Sequence, residues 1–312
     1  MIDYIYDGTF DGLLTVIYHH YYTDRAAGIY TADSYQASFL HGFMEVETEE
    51  KKADKVYAAI RDKISQYDLR SVYRAWLSCD PEKEMKILRY VVLGFQQEHR
   101  TSSLHSHPAV ADFQAILQKI SHESERMLEF VRFSVVELPP QIPADPGSLS
   151  DSITDDPGTL PGVLPDANAS ADSITPASTE KNGTTPTRQG PVPSSVVPQE
   201  SAPVEVLYAA VEPDNDVIEL AARHFSDRFR NDRVIIHDVK RNKAVIAYRG
   251  RWIISAFAPE DAPAPSLKEM QYRRLWKQYF EHIAIMERCN SRCQNNFVPK
   301  RYRKHLTEFT TI

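Results

Sequence analysis

Near its N-terminus this 312-residue chain reads Tyr4-Ile5-Tyr6-Asp7-Gly8-Thr9-Phe10-Asp11-Gly12-Leu13-Leu14. The apolar and aromatic residues before Asp7 are typical of a strand, and Asp7-Gly8 forms a turn in which a positive φ costs little. Thr9 is placed to cap a helix whose first turn contains Asp11. The stretch therefore predicts a strand, a tight turn and a helix, with two acids at the junction.

The chain beyond this unit alternates between helical and strand patterns. Apolar residues at three- and four-residue spacing predict helices that include residues 9–22, 69–78, 108–129 and 267–288. Runs of strand composition lie at Phe43–Thr48, Phe130–Val136, Val206–Val211, Arg233–Val239, Lys243–Tyr248 and Arg251–Phe257. Tight turns separate the last three runs and predict an antiparallel meander. We therefore expect an α+β fold with a largely antiparallel sheet flanked by helices.

Residues 137–205 form a segment of different composition. They contain 13 of the 20 prolines and no Phe, Tyr or Trp. Such a segment buries too little apolar surface to offset its ordering entropy, so we expect a long disordered loop insert. Because strand patterns flank it, residues 1–136 and 206–312 are predicted to form one domain with an antiparallel hairpin across the insert. The alternative is a linker between two independent domains.

The net charge is unevenly distributed. The whole chain carries −7 and residues 137–205 carry −8, so the remainder carries +1. The acidic composition therefore says little about a binding face. Three cysteines form no disulfide framework, and neither a signal peptide nor a run long enough to span a bilayer is visible. These features predict a cytoplasmic protein with no membrane partner.

The C-terminal region is the strongest functional signal. Residues 266–305 contain ten Lys or Arg and three Glu, a net charge of +7. Cations neutralise phosphates and aromatic rings stack on unpaired bases. This pattern predicts that DNA binds at Lys300, Arg301, Tyr302, Arg303 and Lys304. The alternative is a basic helix face with a tail whose aromatic rings pack on the core.

Catalytic signals are sparse. The candidates are Asp7, Asp11 and His237, but the two acids also serve as turn and helix-start residues. The sequence has no phosphate-binding glycine loop and no nucleophile elbow. The histidines at 99, 105 and 107 and the pair Cys289/Cys293 lack a complete ligand pattern, so no metal site and no cofactor are expected. Whether the protein is an enzyme stays open.

Several stretches together resemble a bacterial family known as probable DNA metabolism proteins. These stretches are Tyr6–Leu14, Phe130–Phe133, Glu212–Asp216, Ile236–Arg241 and Pro299–Leu306. In that family the domain also occurs fused to an iron–sulfur type uracil-DNA glycosylase, and stand-alone members accompany a radical-SAM protein. The chain departs from the family at Arg303, where an aromatic residue is expected, and in its long insert. It is expected to lack the glycosylase domain.

The resemblance implies a role in DNA repair or DNA modification, beside a radical-SAM partner, and supplies no catalytic residues. The leading hypothesis is an accessory protein that binds DNA, or a DNA-acting partner, through the basic C-terminal region. One alternative is an enzyme acting on a nucleobase or nucleotide, with a polar site near Asp7 and Asp11. Another is an interaction module for the radical-SAM partner.

Overall fold

The computed structural model describes residues 1–37, 42–138 and 204–310 and places them in two sheets surrounded by helices. Most of the predicted insert, 139–203, lies outside the described residues. The two ends of the predicted insert are among the described residues. Glu137 and Leu138 complete one strand, and Val204 and Glu205 begin the next. The structure is a mixed α+β fold, as expected.

The first half of the chain begins with a parallel unit. It comprises β1 (Ile2–Tyr6), α1 (Phe10–Tyr22), β2 (Ala26–Thr31) and β3 (Gly42–Glu45). Both β2 and β3 pair with β1 in parallel, in the order β2-β1-β3. This separate parallel sheet was not predicted, because the sequence pattern indicated one largely antiparallel sheet. Since α1 carries the chain back across the sheet, the next strand enters in the same direction as β1.

Helices occupy the centre of the chain. They are α2 (Glu50–Ala59, continued by a π-helical turn at Ile60–Ile64), α3 (Gln66–Trp76), α4 (Lys83–Gln97) and α5 (Pro108–Phe130). The bounds of α5 agree with the predicted 108–129, and Pro108 occupies its first turn, where a missing N–H is harmless. A short 3₁₀ segment, Glu98–Ser103, joins α4 to the loop before α5.

The second sheet follows. Its strands are β4 (Ser134–Leu138), β5 (Val204–Val211), β6 (Val234–Asp238), β7 (Lys243–Tyr248) and β8 (Arg251–Ala256), in that spatial order. β4 and β5 are antiparallel, as the hairpin hypothesis requires, and the meander β6-β7-β8 is confirmed. β5 and β6 are parallel because α6 (Ile218–Arg228) lies between them. The sheet is therefore mostly antiparallel.

A single buried cluster takes side chains from both sheets. Tyr4 of β1, Leu13 of α1, Phe113 of α5 and Ile236 of β6 are all at most 1% exposed and belong to it. A smaller cluster around Val136 and Ile235 covers the opposite face of the second sheet. The C-terminal helices are α7 (Leu267–Ile283), α8 (Ser291–Phe297) and α9 (Lys300–Arg303). No residue of α7 or α8 is buried, whereas α9 contains the buried Tyr302.

A compact polar network fixes the start of α1. Thr9 accepts a hydrogen bond from the Gly12 N–H at 3.0 Å, while Asp7 accepts from Thr9 and from the Thr48 hydroxyl. A Cβ added at Gly12 would lie 2.2 Å from Asp7 Oδ1. We expect Gly12→Ala to destabilise the fold by about 1–3 kcal/mol in urea unfolding, although Ala is the better helix former. Gly42→Ala, where nothing lies within 4 Å, is the control, and a Gly12→Ala variant as stable as wild type would contradict the network.

Candidate functional site

The segment predicted to bind DNA packs against the protein. Tyr302 in α9 is 6% exposed, and its ring lies 5.4 Å from that of Phe130 at the end of α5. Its hydroxyl donates to Glu123 at 3.4 Å. A ring in this position cannot stack on a base, so the stacking role predicted for Tyr302 is corrected to a packing role.

Three of the four predicted cations beside Tyr302 also have internal contacts. Arg301 lies 2.6 Å from Asp214 and 3.2 Å from Glu123. Lys304 pairs with Glu212, and the Arg303 Nε–H donates to the Val298 carbonyl. The fourth, Lys300, is exposed and has no ion pair within the described chain. The segment 299–306 therefore serves mainly to attach the C-terminal region to α5 and to the loop 212–216.

Glu123, a residue that the sequence interpretation missed, is the centre of this attachment. It is 3% exposed on α5 and accepts from the backbone N–H groups of Asp214 and Asn215, at 2.9 and 2.8 Å. The Asn215 side chain donates to it as well, at 2.5 Å. Together with Arg301 and Tyr302, these donors surround the carboxylate. Satisfied in this way, Glu123 is an organising residue and not a free base.

Further contacts fix the loop 212–216. Arg241 donates to the carbonyls of Pro213 and Asp214, and it pairs with the buried Asp238 at 2.8 Å. On the other side of the loop, Asp216 pairs with Lys243 at 2.5 Å. The structure thus brings together three stretches, 212–216, 236–241 and 299–306, that are far apart in the sequence.

The electrostatics of this cluster favour the ion pairs. Burial opposes ionisation of Glu212, but the hydrogen bond and charge of Lys304 outweigh it, and the pKa of that carboxyl lies below its ordinary value. Burial lowers the pKa of His305, whose ring lies 3.2 Å from Glu212. The attachment of α9 is therefore held by a charged carboxylate at neutral pH.

A cleft of about 410 Å³ opens beside Glu123. It lies between α5, the turn after α3 and the loop 212–216. Its lining includes Cys79, Asp80, Lys119, His122, Arg126 and Arg301. The thiol of Cys79 is free and exposed. Its lining side chains include several hydrogen-bond donors.

No residue of α7 is buried. Tyr272, Trp276 and Tyr279 share one helical face and are 59%, 48% and 55% exposed. An open groove of about 550 Å³ lies along this face. Among the described residues, Arg273 donates to Ser134 of β4 and Lys277 donates to the Thr310 carbonyl. On the ring face, the Trp276 Nε1–H donates to Glu308 at 3.3 Å.

Exposed cations accompany these rings. Within the described residues the following side chains are exposed and form no ion pair: Lys268, Arg274, Arg288, Arg292 and Lys300. We call these five cations and the rings of Tyr272, Trp276 and Tyr279 the C-terminal surface. It combines positive charge with accessible aromatic rings.

The two acids of the opening stretch lie elsewhere. Asp7 follows β1, where burial opposes its ionisation but hydrogen bonds from Thr9 and Thr48 prevail and lower its pKa. Burial and the neighbouring acids Asp54 and Glu50 raise the pKa of Asp11. Asp7 thus has a structural role, and Asp11 lies on an exposed acidic surface.

His237 is separated from these acids, since it belongs to β6 in the second sheet. It is fully buried, its Nδ1 lies 2.8 Å from the Tyr208 hydroxyl, and its ring contacts Phe257 edge-on at 4.7 Å. Burial lowers its pKa. The structure therefore does not assemble Asp7, Asp11 and His237 into one site.

Across residues 1–37, 42–138 and 204–310, no group of three or more His, Cys, Asp or Glu side chains is arranged to hold a metal ion. No helix in these same ranges is long and apolar enough to cross a membrane.

The fold and cleft define an α+β protein whose two chain halves meet at a buried carboxylate. The chain belongs to a family described as a domain of unknown function, DUF4130, which it matches over residues 81–143 and 198–308, more than half of its length. These regions contain Glu123, the loop 212–216 and the C-terminal surface, whereas the opening stretch lies outside them. Comparisons with curated proteins and with solved structures found no match.

Proposed function

We propose that this protein is an accessory factor of DNA repair or DNA modification that binds single-stranded DNA through the C-terminal surface. The observation that carries the proposal is the exposure of three aromatic rings on α7, within a C-terminal region whose exposed cations Lys268, Arg274, Arg288, Arg292 and Lys300 form no ion pair with described residues. Non-specific single-strand binding combines these two features, because cations follow the phosphates and rings stack on successive bases.

The sequence resemblance to probable DNA metabolism proteins supports the same role. It adds two elements to the proposal: a cytoplasmic location and a radical-SAM protein as the partner that performs the chemistry. The exposed apolar residues Leu267, Leu275 and Ile283 of α7 suit contact with a protein. The alternative outcome of the test below is that a partner protein binds this surface and that DNA does not.

The contacts proposed here differ from those predicted from the sequence. Lys300 stays in the binding surface, whereas Arg301 and Lys304 are engaged in ion pairs and Tyr302 is buried. The enzyme alternative near Asp7 and Asp11 gains no geometric support, since those acids are separated from His237. The proposal is therefore one of binding and not of catalysis.

The experiment measures anisotropy of a labelled single-stranded oligonucleotide with a 5′-hydroxyl end. We expect a variant with Lys268, Arg274, Arg288 and Arg292 changed to Gln to bind about tenfold or more weakly at moderate salt, because up to four phosphate contacts are lost. The control changes four exposed cations elsewhere, Lys51, Lys55, Lys63 and Arg89, to Gln and so has the same net charge.

Equal affinity of the two variants would contradict the proposed surface. Absence of DNA binding by the wild-type chain, together with capture of a purified radical-SAM partner that is lost in Leu275→Asp, would replace the DNA proposal with the partner proposal. The wild-type protein and every variant are tested as the full-length chain.

A further inference from the structure

The cleft beside Glu123 has a surplus of donors. Its acids are already satisfied from within: Asp80 pairs with Lys86 at 2.9 Å, and Asp214 pairs with Arg301 at 2.6 Å. Glu123 is surrounded by the donors described above. These carboxylates therefore offer little to an incoming cation, and their negative charges are balanced by partners of the protein itself.

The basic residues on the α5 side are less engaged. Lys119, His122 and Arg126 follow one another at three- and four-residue spacing and share a helical face. Lys119 is 66% exposed and lies 3.6 Å from Asp80, and His122 is 62% exposed. Arg126 forms no hydrogen bond or ion pair with any described residue, although it lines the cleft. It is an uncommitted guanidinium inside a concave site.

Arg301 also borders the cleft. Both of its terminal nitrogens contact acids, but its Nε is buried without a hydrogen-bond partner in the described part of the chain. Because that Nε is buried, a ligand in the cleft cannot reach it, and Arg301 contributes to the cleft through its charge. The side chains that border the cleft with few contacts inside the protein are thus mostly cationic donors. The class of ligand that suits them is an oxyanion.

We propose that this cleft binds a phosphate monoester, with Arg126 as the principal ligand and Lys119 and His122 beside it. A guanidinium donates two parallel hydrogen bonds to phosphate oxygens, which gives both strength and orientation. The volume of about 410 Å³ lies within the usual range for small-molecule sites and admits a mononucleotide. The phosphate comes either from a free nucleotide or from the 5′ end of a nucleic-acid strand.

The proposal does not depend on DNA binding by the C-terminal surface, since it uses different residues. Calorimetry on the full-length chain would compare adenosine monophosphate, inorganic phosphate and adenosine. We expect the two phosphates to bind and adenosine not to bind. Arg126→Gln should raise the dissociation constant for the monophosphate at least about tenfold, because a charge-assisted pair of hydrogen bonds is lost.

Arg89→Gln, which changes an exposed arginine on α4, is the matched control and should leave binding unchanged. Oligonucleotides with and without a 5′-phosphate identify the source of the phosphate. Tighter binding of the phosphorylated strand that disappears in Arg126→Gln assigns the cleft to strand ends. Equal binding of both strands, with Arg126-dependent binding of the monophosphate, assigns it to a free nucleotide.

Two results would overturn the proposal. One is the absence of binding by adenosine monophosphate, inorganic phosphate and the phosphorylated strand alike. The other is binding that Arg126→Gln does not weaken. Neither result bears on the C-terminal surface, which is tested with strands that end in a 5′-hydroxyl.

Discussion

Glu123→Gln should destabilise the protein by about 3–5 kcal/mol, because the change removes the charge of a buried carboxylate that is surrounded by hydrogen-bond donors. The carboxylate accepts from two backbone N–H groups, the Asn215 side chain and Tyr302, and it pairs with Arg301. An amide would turn its NH₂ group toward at least one of these donors. The Arg301 charge would also lose part of its compensation. Urea unfolding of the full-length chain measures the effect.

The control for this prediction lies two residues away on the same helix. Glu125 is 70% exposed and lies 3.7 Å from His122, so Glu125→Gln should change stability by less than about 0.5 kcal/mol. A Glu123→Gln variant whose free energy of unfolding lies within about 1 kcal/mol of the wild-type value would contradict this prediction. It would show that the Glu123 carboxylate does not organise the contacts between the two halves of the chain.

Loss of the aromatic rings of α7 should have the second large effect. The rings of Trp276 and Tyr279 are about half exposed, with centroids 5.7 Å apart. Stacking of a base on one aromatic ring contributes about 1–3 kcal/mol. The double variant Trp276→Ala/Tyr279→Ala should therefore bind single-stranded DNA about 30-fold or more weakly. Trp276→Phe, which keeps a ring, should lose much less affinity.

Two measurements accompany this prediction. Quenching of tryptophan emission on addition of DNA should occur in the wild-type chain and diminish in Trp276→Ala. Tyr67→Ala, which removes a 69% exposed ring from α3, should bind as the wild type does. If the double variant keeps wild-type affinity and its fold, the rings do not contact bases.

Much of the second sheet could be predicted from local signals. The turns at Asn242 and at Arg249-Gly250 adopt positive φ, as tight hairpins require, and the strand patterns around them are strong. The strand β2, by contrast, escaped prediction. Its sequence Ala26-Ala27-Gly28-Ile29-Tyr30-Thr31 has low strand propensity in its first half, and it is a strand because β1 offers a parallel partner. That partnership is a tertiary effect with no local signature.

The site was less accessible to sequence reasoning. The basic pattern at 300–304 has the same composition whether its side chains face solvent or acids. The acids that pair with Arg301, Asp214 and Glu123, are far from it in the chain. Tyr302 is buried because it packs against Phe130 and contacts Glu123. Local composition therefore could not separate a binding segment from an attachment segment.

One signal for Glu123 was present in the sequence. It occupies the same face of α5 as Phe113, Ile116, Ile120 and Met127, all buried, so an acid stands in an apolar stripe. A charged residue at such a position is almost never fully buried without partners. The acid in this apolar stripe therefore indicates a buried charge with partners, and Glu123 is part of the cleft lining.

The central claim is that DNA binds through charge and rings of the C-terminal surface, and the salt dependence of binding tests it most directly. For a 5′-hydroxyl single strand, the logarithm of the wild-type association constant should fall linearly with the logarithm of salt concentration. A slope of about −2 to −3.5 corresponds to three to five phosphate contacts. Changing Lys268, Arg274, Arg288 and Arg292 to Gln leaves Lys300 as the remaining cation of the surface and should reduce the slope to about −0.7. A wild-type slope near zero, or the same slope in that variant, would contradict the account.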